Sequence, residues 1–126
     1  MKIILLAAIA ALPFSSQNCK KNNTPTACFK GRLEVKGICS NYTIKLLEGN
    51  IDTSQIVANW KDEVTGKTYT DVFALGSPCS FPATLNEGDE FYFTLDTTRQ
   101  NCAVCMAYYP KPAKALSIKV LDKPCN

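Results

Sequence analysis

Seven cysteines, an odd number, constrain the fold of this 126-residue chain more than any other feature. Cys19 follows a short apolar leader, and the other six are spread over the rest of the chain: Cys28, Cys39, Cys79, Cys102, Cys105 and Cys125. An odd count in an exported protein leaves one thiol over, whereas six cysteines can form three disulfides. We therefore expect a small domain held by three disulfides, with Cys19 in a separate role.

The leader comprises Met1–Phe14, in which Lys2 is the only charged residue. Its apolar run, Ile3–Leu12, suits the hydrophobic region of a signal peptide and is too short for a transmembrane helix, which needs roughly 20 apolar residues. Pro13 then ends any helix, because proline has no backbone N–H and clashes with the preceding turn. These features predict that residues 1–18 are a signal peptide.

The segment around Cys19 reads Phe14-Ser15-Ser16-Gln17-Asn18-Cys19-Lys20-Lys21-Asn22. It resembles the leaders of Bacteroidetes cell-envelope lipoproteins, which commonly pass from an apolar stretch through Phe-Ser-Ser to Cys-Lys-Lys. It departs from the usual lipobox, since Ser16 and Asn18 stand where leucine and a small residue are expected. The resemblance implies a lipid on Cys19 and a lipoprotein of the bacterial outer membrane or one facing the periplasm. Cleavage after Ala10 or Ser16 would instead give a secreted protein.

Removal of residues 1–18 from the 126 leaves 108, the size of one domain. Lys20–Thr26 is polar and contains a proline, as a flexible linker does. The chain is therefore predicted to consist of a lipid-anchored tether at 19–27 and a β domain at 28–126.

Charge and composition exclude several classes of function. The 14 basic residues include Lys2 of the leader, so 13 basic and 11 acidic side chains remain, a net charge of about +2. This is not the strongly basic surface of a nucleic-acid-binding protein. The chain has no histidine, which excludes Ser-His-Asp and Cys-His catalysis and histidine-based zinc sites. We predict no catalytic residues, no cofactor, no metal site and no nucleic-acid partner.

Alternation of apolar and charged side chains predicts six strands, at 29–39, 42–48, 54–61, 68–75, 89–96 and 115–121. The first places Phe29, Leu33 and Val35 on one face. The third aligns Ile56 with Trp60, for which core packing is expected, and the fifth turns Leu95 inward.

Several short strands separated by turns favour an all-β domain, either a small six-strand barrel or a β-sandwich stapled by disulfides. The segment Leu85–Phe91 and the bent first strand pair resemble a barrel of the oligonucleotide/oligosaccharide-binding kind.

The six domain cysteines admit fifteen pairings. Cys28 precedes the first strand and Cys125 follows the last, so these two are expected to pair and close nearly the whole domain. Cys39 and Cys79 either pair with each other or each take one of Cys102 and Cys105. The Cys102-Ala103-Val104-Cys105 motif also allows a redox centre, although structural disulfides are favoured.

Two surfaces are predicted to contact a partner. Lys30, Arg32 and Lys36 share the outer face of the first strand, and Lys119 lies outward on the last, so pairing of those strands would give a basic stripe. Aromatic contact residues are the second group: Tyr92, Tyr108 and Tyr109.

These features together predict an envelope-tethered binding or interaction module without catalysis, with a protein or glycan partner and the membrane bound through the lipid. The alternatives are a thiol oxidoreductase using Cys102 and Cys105, or a secreted disulfide-rich inhibitor.

Overall fold

Side chains that face the core alternate with side chains that face solvent along the strands of the first half of the chain, and this alternation sets the architecture. The structure is a computed structural model that describes residues 27–98 and 100–125. The predicted signal peptide, Cys19 and the tether up to residue 26 lie outside the described residues. Within the described part there are seven strands: β1 (Phe29–Lys36), β2 (Tyr42–Glu48), β3 (Val57–Lys61), β4 (Thr68–Leu75), β5 (Glu90–Leu95), β6 (Ala115–Leu116) and β7 (Ile118–Leu121).

All seven strands belong to one sheet, in the order β3-β4-β2-β1-β5-β7, with β6 pairing to β4 off this path. The pairs along the path are antiparallel, whereas β6 runs parallel to β4. The all-β class and the disulfide staples are therefore confirmed. The barrel is not, because no strand ladder of the described residues joins β4 to β7.

The junction between β4 and the end of the chain is made by a short pairing and one serine. Ala74 and Leu75 pair with the two residues of β6. Beyond β4, the buried Ser77 hydroxyl accepts a hydrogen bond from the Ile118 N–H at 2.8 Å and donates to the Ile118 carbonyl at 2.9 Å. The side chain thus satisfies the backbone groups that a longer ladder would otherwise pair.

The core lies on the inward face of the sheet. In β1 buried and half-buried residues alternate strictly, as predicted, because only one face meets the core. Phe93 is fully buried and contacts the rings of Phe29, Phe73 and Phe91 at centroid distances of 5.4–5.9 Å. The remaining buried members of the cluster are Leu33, Ile44, Ile51, Leu75 and Ile118.

Several details of the predicted strands are wrong. The first strand ends at Lys36 rather than at residue 39, because a 3-10 turn at Ile38–Ser40 follows it. The third strand begins only at Val57, because the Asp52 carboxylate accepts a hydrogen bond from the Ser54 N–H and starts a 3-10 turn at Thr53–Gln55. Leu95 is 39% exposed rather than inward. The sixth strand is two, β6 and β7, separated by Ser117.

Candidate functional site

Three disulfides join the six domain cysteines, as the sequence predicts. The pairs are Cys28–Cys125, Cys39–Cys105 and Cys79–Cys102. The Cα–Cα distances of 5.2–5.7 Å are ordinary for disulfides. The expected Cys28–Cys125 bond is confirmed, and it spans 97 residues. Three disulfides within one chain fit an oxidising environment outside the cytoplasm.

Cys102 and Cys105 are bonded to two different turns rather than to each other. Cys105 joins the 3-10 turn Ile38–Ser40, which follows β1, and Cys102 joins the 3-10 turn Pro78–Ser80, which follows β4. The two bonds therefore hold the connection between β5 and β6 against two separate parts of the sheet.

Both cysteines belong to an exposed stretch, residues 101–108, which we call the stapled loop. All eight residues are exposed, and the backbone from 100 to 112 contains no helix, strand, turn or bend. Backbone N–H and C=O groups in a folded chain are ordinarily paired with other protein groups or with water. Among the described residues, however, the only hydrogen bond to the backbone of 101–108 comes from the Asn41 amide, which donates to the Ala107 carbonyl at 3.1 Å.

Contacts on either side of the stapled loop fix its ends. Before it, the Gln100 side chain accepts a hydrogen bond from the Cys79 N–H at 3.1 Å and donates to the Ser80 hydroxyl. After it, the half-buried Tyr109 ring lies so close to Gly37 that a Cβ there would stand 2.5 Å from the ring. Pro110 and Pro112 are buried. The loop is thus positioned by side chains, disulfides and prolines, without strand pairing.

The stapled loop presents apolar side chains to solvent. Met106 is 91% exposed, Tyr108 79% and Val104 47%, and Ile38 on the neighbouring turn is 59% exposed. An open groove of about 730 Å³ runs between the loop, the turn at Cys39–Asn41 and the end of β4. Exposed apolar groups gathered in one place typically mark an interaction surface.

Of the predicted aromatic contacts, Tyr108 lies in the stapled loop, whereas Tyr109 packs on Gly37. Tyr92 lies elsewhere, on β5, with the Lys30 ammonium 5.7 Å from its ring centroid. The prediction emphasised the tyrosines and missed Val104 and Met106. The available signal was an apolar pair within and just after the Cys-x-x-Cys motif, in a segment with no strand periodicity.

The predicted basic residues do not form one stripe. β1 and β7 are not neighbours, because β5 lies between them, so Lys119 is separated from Lys30 and Arg32. Lys30 lies 3.8 Å from Glu90, and the Arg32 guanidinium pairs with Glu34 at 2.6 Å.

Lys36 has a structural role. Its ammonium donates to the carbonyl oxygens of Ala83 and Leu85 at 3.2 and 2.8 Å, and to the Asn86 side chain at 3.4 Å. Its backbone N–H donates to the Glu87 carboxylate at 2.8 Å. These bonds fasten the segment before β5 to the end of β1 and leave the ammonium engaged with the chain itself.

Trp60 is not in the core, contrary to the prediction. It lies half-buried on β3 and stacks on Tyr69 of β4, with ring centroids 5.8 Å apart. Burial, and then the negative charge of Asp62, raise the pKa of Tyr69. The hairpin between these strands extends past the core, so its aromatic residues pack on each other.

A carboxylate shapes the start of the connection that carries the stapled loop. Asp96 follows β5, and its side chain accepts a hydrogen bond from the Thr98 N–H at 2.8 Å. Hydrogen bonds from the Thr98 side chain and backbone lower the pKa of Asp96. The Asp96 N–H donates to the Ser117 carbonyl at 2.9 Å, which ties this end of the connection to the break between β6 and β7.

Residues 27–98 and 100–125 contain no group of three or more His, Cys, Asp or Glu side chains arranged to hold a metal ion. In the same residues there is no helix of the length and apolar character needed to cross a membrane. Comparison of the chain with protein-family models, with curated proteins and with solved structures gave no match in any of the three.

Proposed function

We propose that this protein is a binding module of the bacterial cell envelope, held at the membrane by a lipid on Cys19, and that the stapled loop contacts a protein partner. The observation that carries the proposal is a run of eight exposed residues without regular secondary structure that two disulfides tie to two different turns. A loop of this kind does not strengthen the core. Its exposed apolar side chains favour a role in recognition.

The energetics support recognition by the stapled loop. Burial of Met106 and Tyr108 against a partner would contribute about 1.5–3 kcal/mol each. The two disulfides have already restricted the loop, so binding would cost less conformational entropy than it would for a free segment. Tyr108 is a rigid, amphipathic contact residue, and Met106 adapts its shape to the surface it meets.

The proposed anchor and the proposed contact surface would lie at opposite ends of β1. The tether would enter the domain at Cys28, just before β1, whereas Cys39 holds the stapled loop just after β1. Eight residues of strand, at about 3.3 Å each, span roughly 26 Å. A lipid on Cys19 would therefore leave the stapled loop at the end of the domain away from the attachment point.

The other predicted contact residues give less support. Lys30 and Arg32 have acidic neighbours, and Lys36 is bonded to the segment before β5. Lys119 and Tyr92 remain predicted contacts for an anionic or glycan partner. The oxidoreductase alternative also stays a prediction. Titration of the purified protein with a thiol reagent tests it, because a resting redox protein with reduced Cys102 and Cys105 would give two reactive thiols.

Site-specific photo-crosslinking in the producing cell tests the contact surface. A photoreactive residue at Met106 should give a discrete adduct with a protein of the cell envelope, and added purified wild-type protein should suppress that adduct. The matched control is Val64, an apolar side chain 62% exposed at the tip of the β3–β4 hairpin. Equal labelling from both positions, or none from Met106, would contradict the proposal.

The anchor is tested separately. Replacement of Cys19 by Ser should release the protein from the membrane fraction into the soluble fraction, because the acyl chains contribute about 0.8 kcal/mol per buried methylene to membrane binding. Unchanged fractionation of the Cys19→Ser protein would remove the lipid anchor from the proposal and leave the binding surface intact.

A further inference from the structure

We infer that the partner of the stapled loop is an endopeptidase, and that the loop occupies its substrate cleft with Met106 in the pocket for the residue before the scissile bond. This inference rests on the proposed function and names its partner. Endopeptidases bind substrates as extended strands, through backbone hydrogen bonds to the cleft and side-chain pockets that set specificity. The stapled loop is exposed and has no regular secondary structure, so its backbone is not already paired in the sheet of this protein.

The backbone around Met106 is available to the cleft. Within the described residues, the N–H and carbonyl groups of Val104, Cys105 and Met106 make no hydrogen bond with the rest of the chain. Met106 is 91% exposed, the highest value among the large apolar side chains that the structure describes, and it has no β-branch. A narrow apolar pocket can receive such a side chain without any rearrangement of the loop.

The residues flanking Met106 are held in place. Cys105, immediately before it, forms a disulfide with Cys39. The carbonyl of Ala107, immediately after it, accepts a hydrogen bond from the Asn41 side-chain amide. Tyr109 packs against Gly37 two residues further on. The peptide bond between Met106 and Ala107 would therefore lie between two fixed points, one at each of its neighbouring residues.

This arrangement makes the loop an inhibitor rather than a substrate. Hydrolysis would add the hydroxyl of a water molecule to the Met106 carbonyl carbon, break its bond to the Ala107 nitrogen and deliver the protons to that nitrogen. The new carboxylate would remain attached through Cys105, and the new amine would remain attached through the Asn41 bond and Tyr109. Both ends stay in position for the reverse reaction, so product release is slow.

A single substitution gives a test that changes the specificity of inhibition. Wild-type protein should inhibit chymotrypsin, whose pocket takes large apolar side chains, and should leave trypsin active. Met106→Lys should become a trypsin inhibitor and lose about 100-fold or more of its affinity for chymotrypsin, because a lysine is unfavourable in an apolar pocket. The matched control is Tyr108→Lys, the same charge in the same loop, which should not inhibit trypsin.

Met106 and Tyr108 are largely exposed, so both variants should retain the wild-type melting temperature and free-thiol count, which shows that they are folded. Failure of folded Met106→Lys to inhibit trypsin would overturn the inference, as would its rapid, complete cleavage after residue 106. A Met106 adduct with a protein other than a peptidase, together with no inhibition in either assay, would leave the binding function standing and refute the peptidase as its partner.

Discussion

Replacement of Ser77 by alanine should destabilise the domain, because the Ser77 hydroxyl joins the segment after β4 to the backbone of β7. Ser77 is 1% exposed, and its hydroxyl makes hydrogen bonds of 2.8 and 2.9 Å with the N–H and carbonyl of Ile118. Alanine would leave both backbone groups buried and unpaired at the junction of β4 with β7. Each orphaned group costs about 1–3 kcal/mol, so the expected loss is roughly 2–6 kcal/mol, and about 3 kcal/mol is a value in the lower half of that range.

For a domain of about 100 residues, 1 kcal/mol shifts the melting temperature by about 4–8 °C, so a loss of 3 kcal/mol corresponds to roughly 12–24 °C. Thermal unfolding under non-reducing conditions measures this shift, and hydrogen exchange of the Ile118 amide reports the local bond. Thr84→Ala, at an exposed hydroxyl, is the control and should change the free energy of unfolding by less than about 0.5 kcal/mol. A Ser77→Ala protein within 1 kcal/mol of wild type, with unchanged Ile118 exchange, would show that the two Ser77 hydrogen bonds do not stabilise the domain.

Three further predictions concern other buried or hydrogen-bonded groups. Gly37→Ala would place a Cβ 2.5 Å from the Tyr109 ring, so it should lower the melting temperature and make the stapled loop more sensitive to proteolysis, which limited digestion measures. Thr43 is fully buried, and its hydroxyl has no hydrogen-bond partner in the described residues, so Thr43→Val should raise the free energy of unfolding by about 1 kcal/mol in urea titration. Hydrogen bonds from Thr98 lower the pKa of Asp96 in the folded state. The stabilisation that they provide is therefore present above the ordinary pKa of 3.8 and is lost as the pH falls through the lowered pKa. Thr98→Val removes the hydroxyl, so it should raise the Asp96 pKa measured in an NMR titration.

Strands with one buried face were predictable from the sequence. β2 and β4 have the predicted bounds, and β1 has the predicted inward face, because alternation of side chains reports burial directly in a half-exposed strand. Prediction failed where a local side-chain bond or the edge of the core decided the outcome. Asp52 starts a turn where β3 was expected to begin, and Trp60 lies on a hairpin that extends past the core.

The candidate site was predicted only in part, for a topological reason. The choice between pairing Cys39 with Cys79 and pairing each with Cys102 or Cys105 depends on where the turns after β1 and β4 lie relative to the β5–β6 connection. Strand order decides that, and periodicity carries no information about order. Tyr108 was expected as a contact, whereas Met106 was missed, because its exposure follows from the disulfides that hold the residues around it.

The pairing of Cys102 and Cys105 with two different turns carries the proposal of a stapled loop. A tryptic disulfide map of the non-reduced protein tests it well, because Cys102 and Cys105 fall on one peptide, 100–114, whereas Cys39 falls on 37–45 and Cys79 on 68–99. The structure predicts a single species in which these three peptides are linked, a second species joining 22–30 to 120–126, and, after partial reduction, the bonds Cys39–Cys105 and Cys79–Cys102. Peptide 100–114 released alone with an internal Cys102–Cys105 bond, or carrying two free thiols, would contradict this pairing.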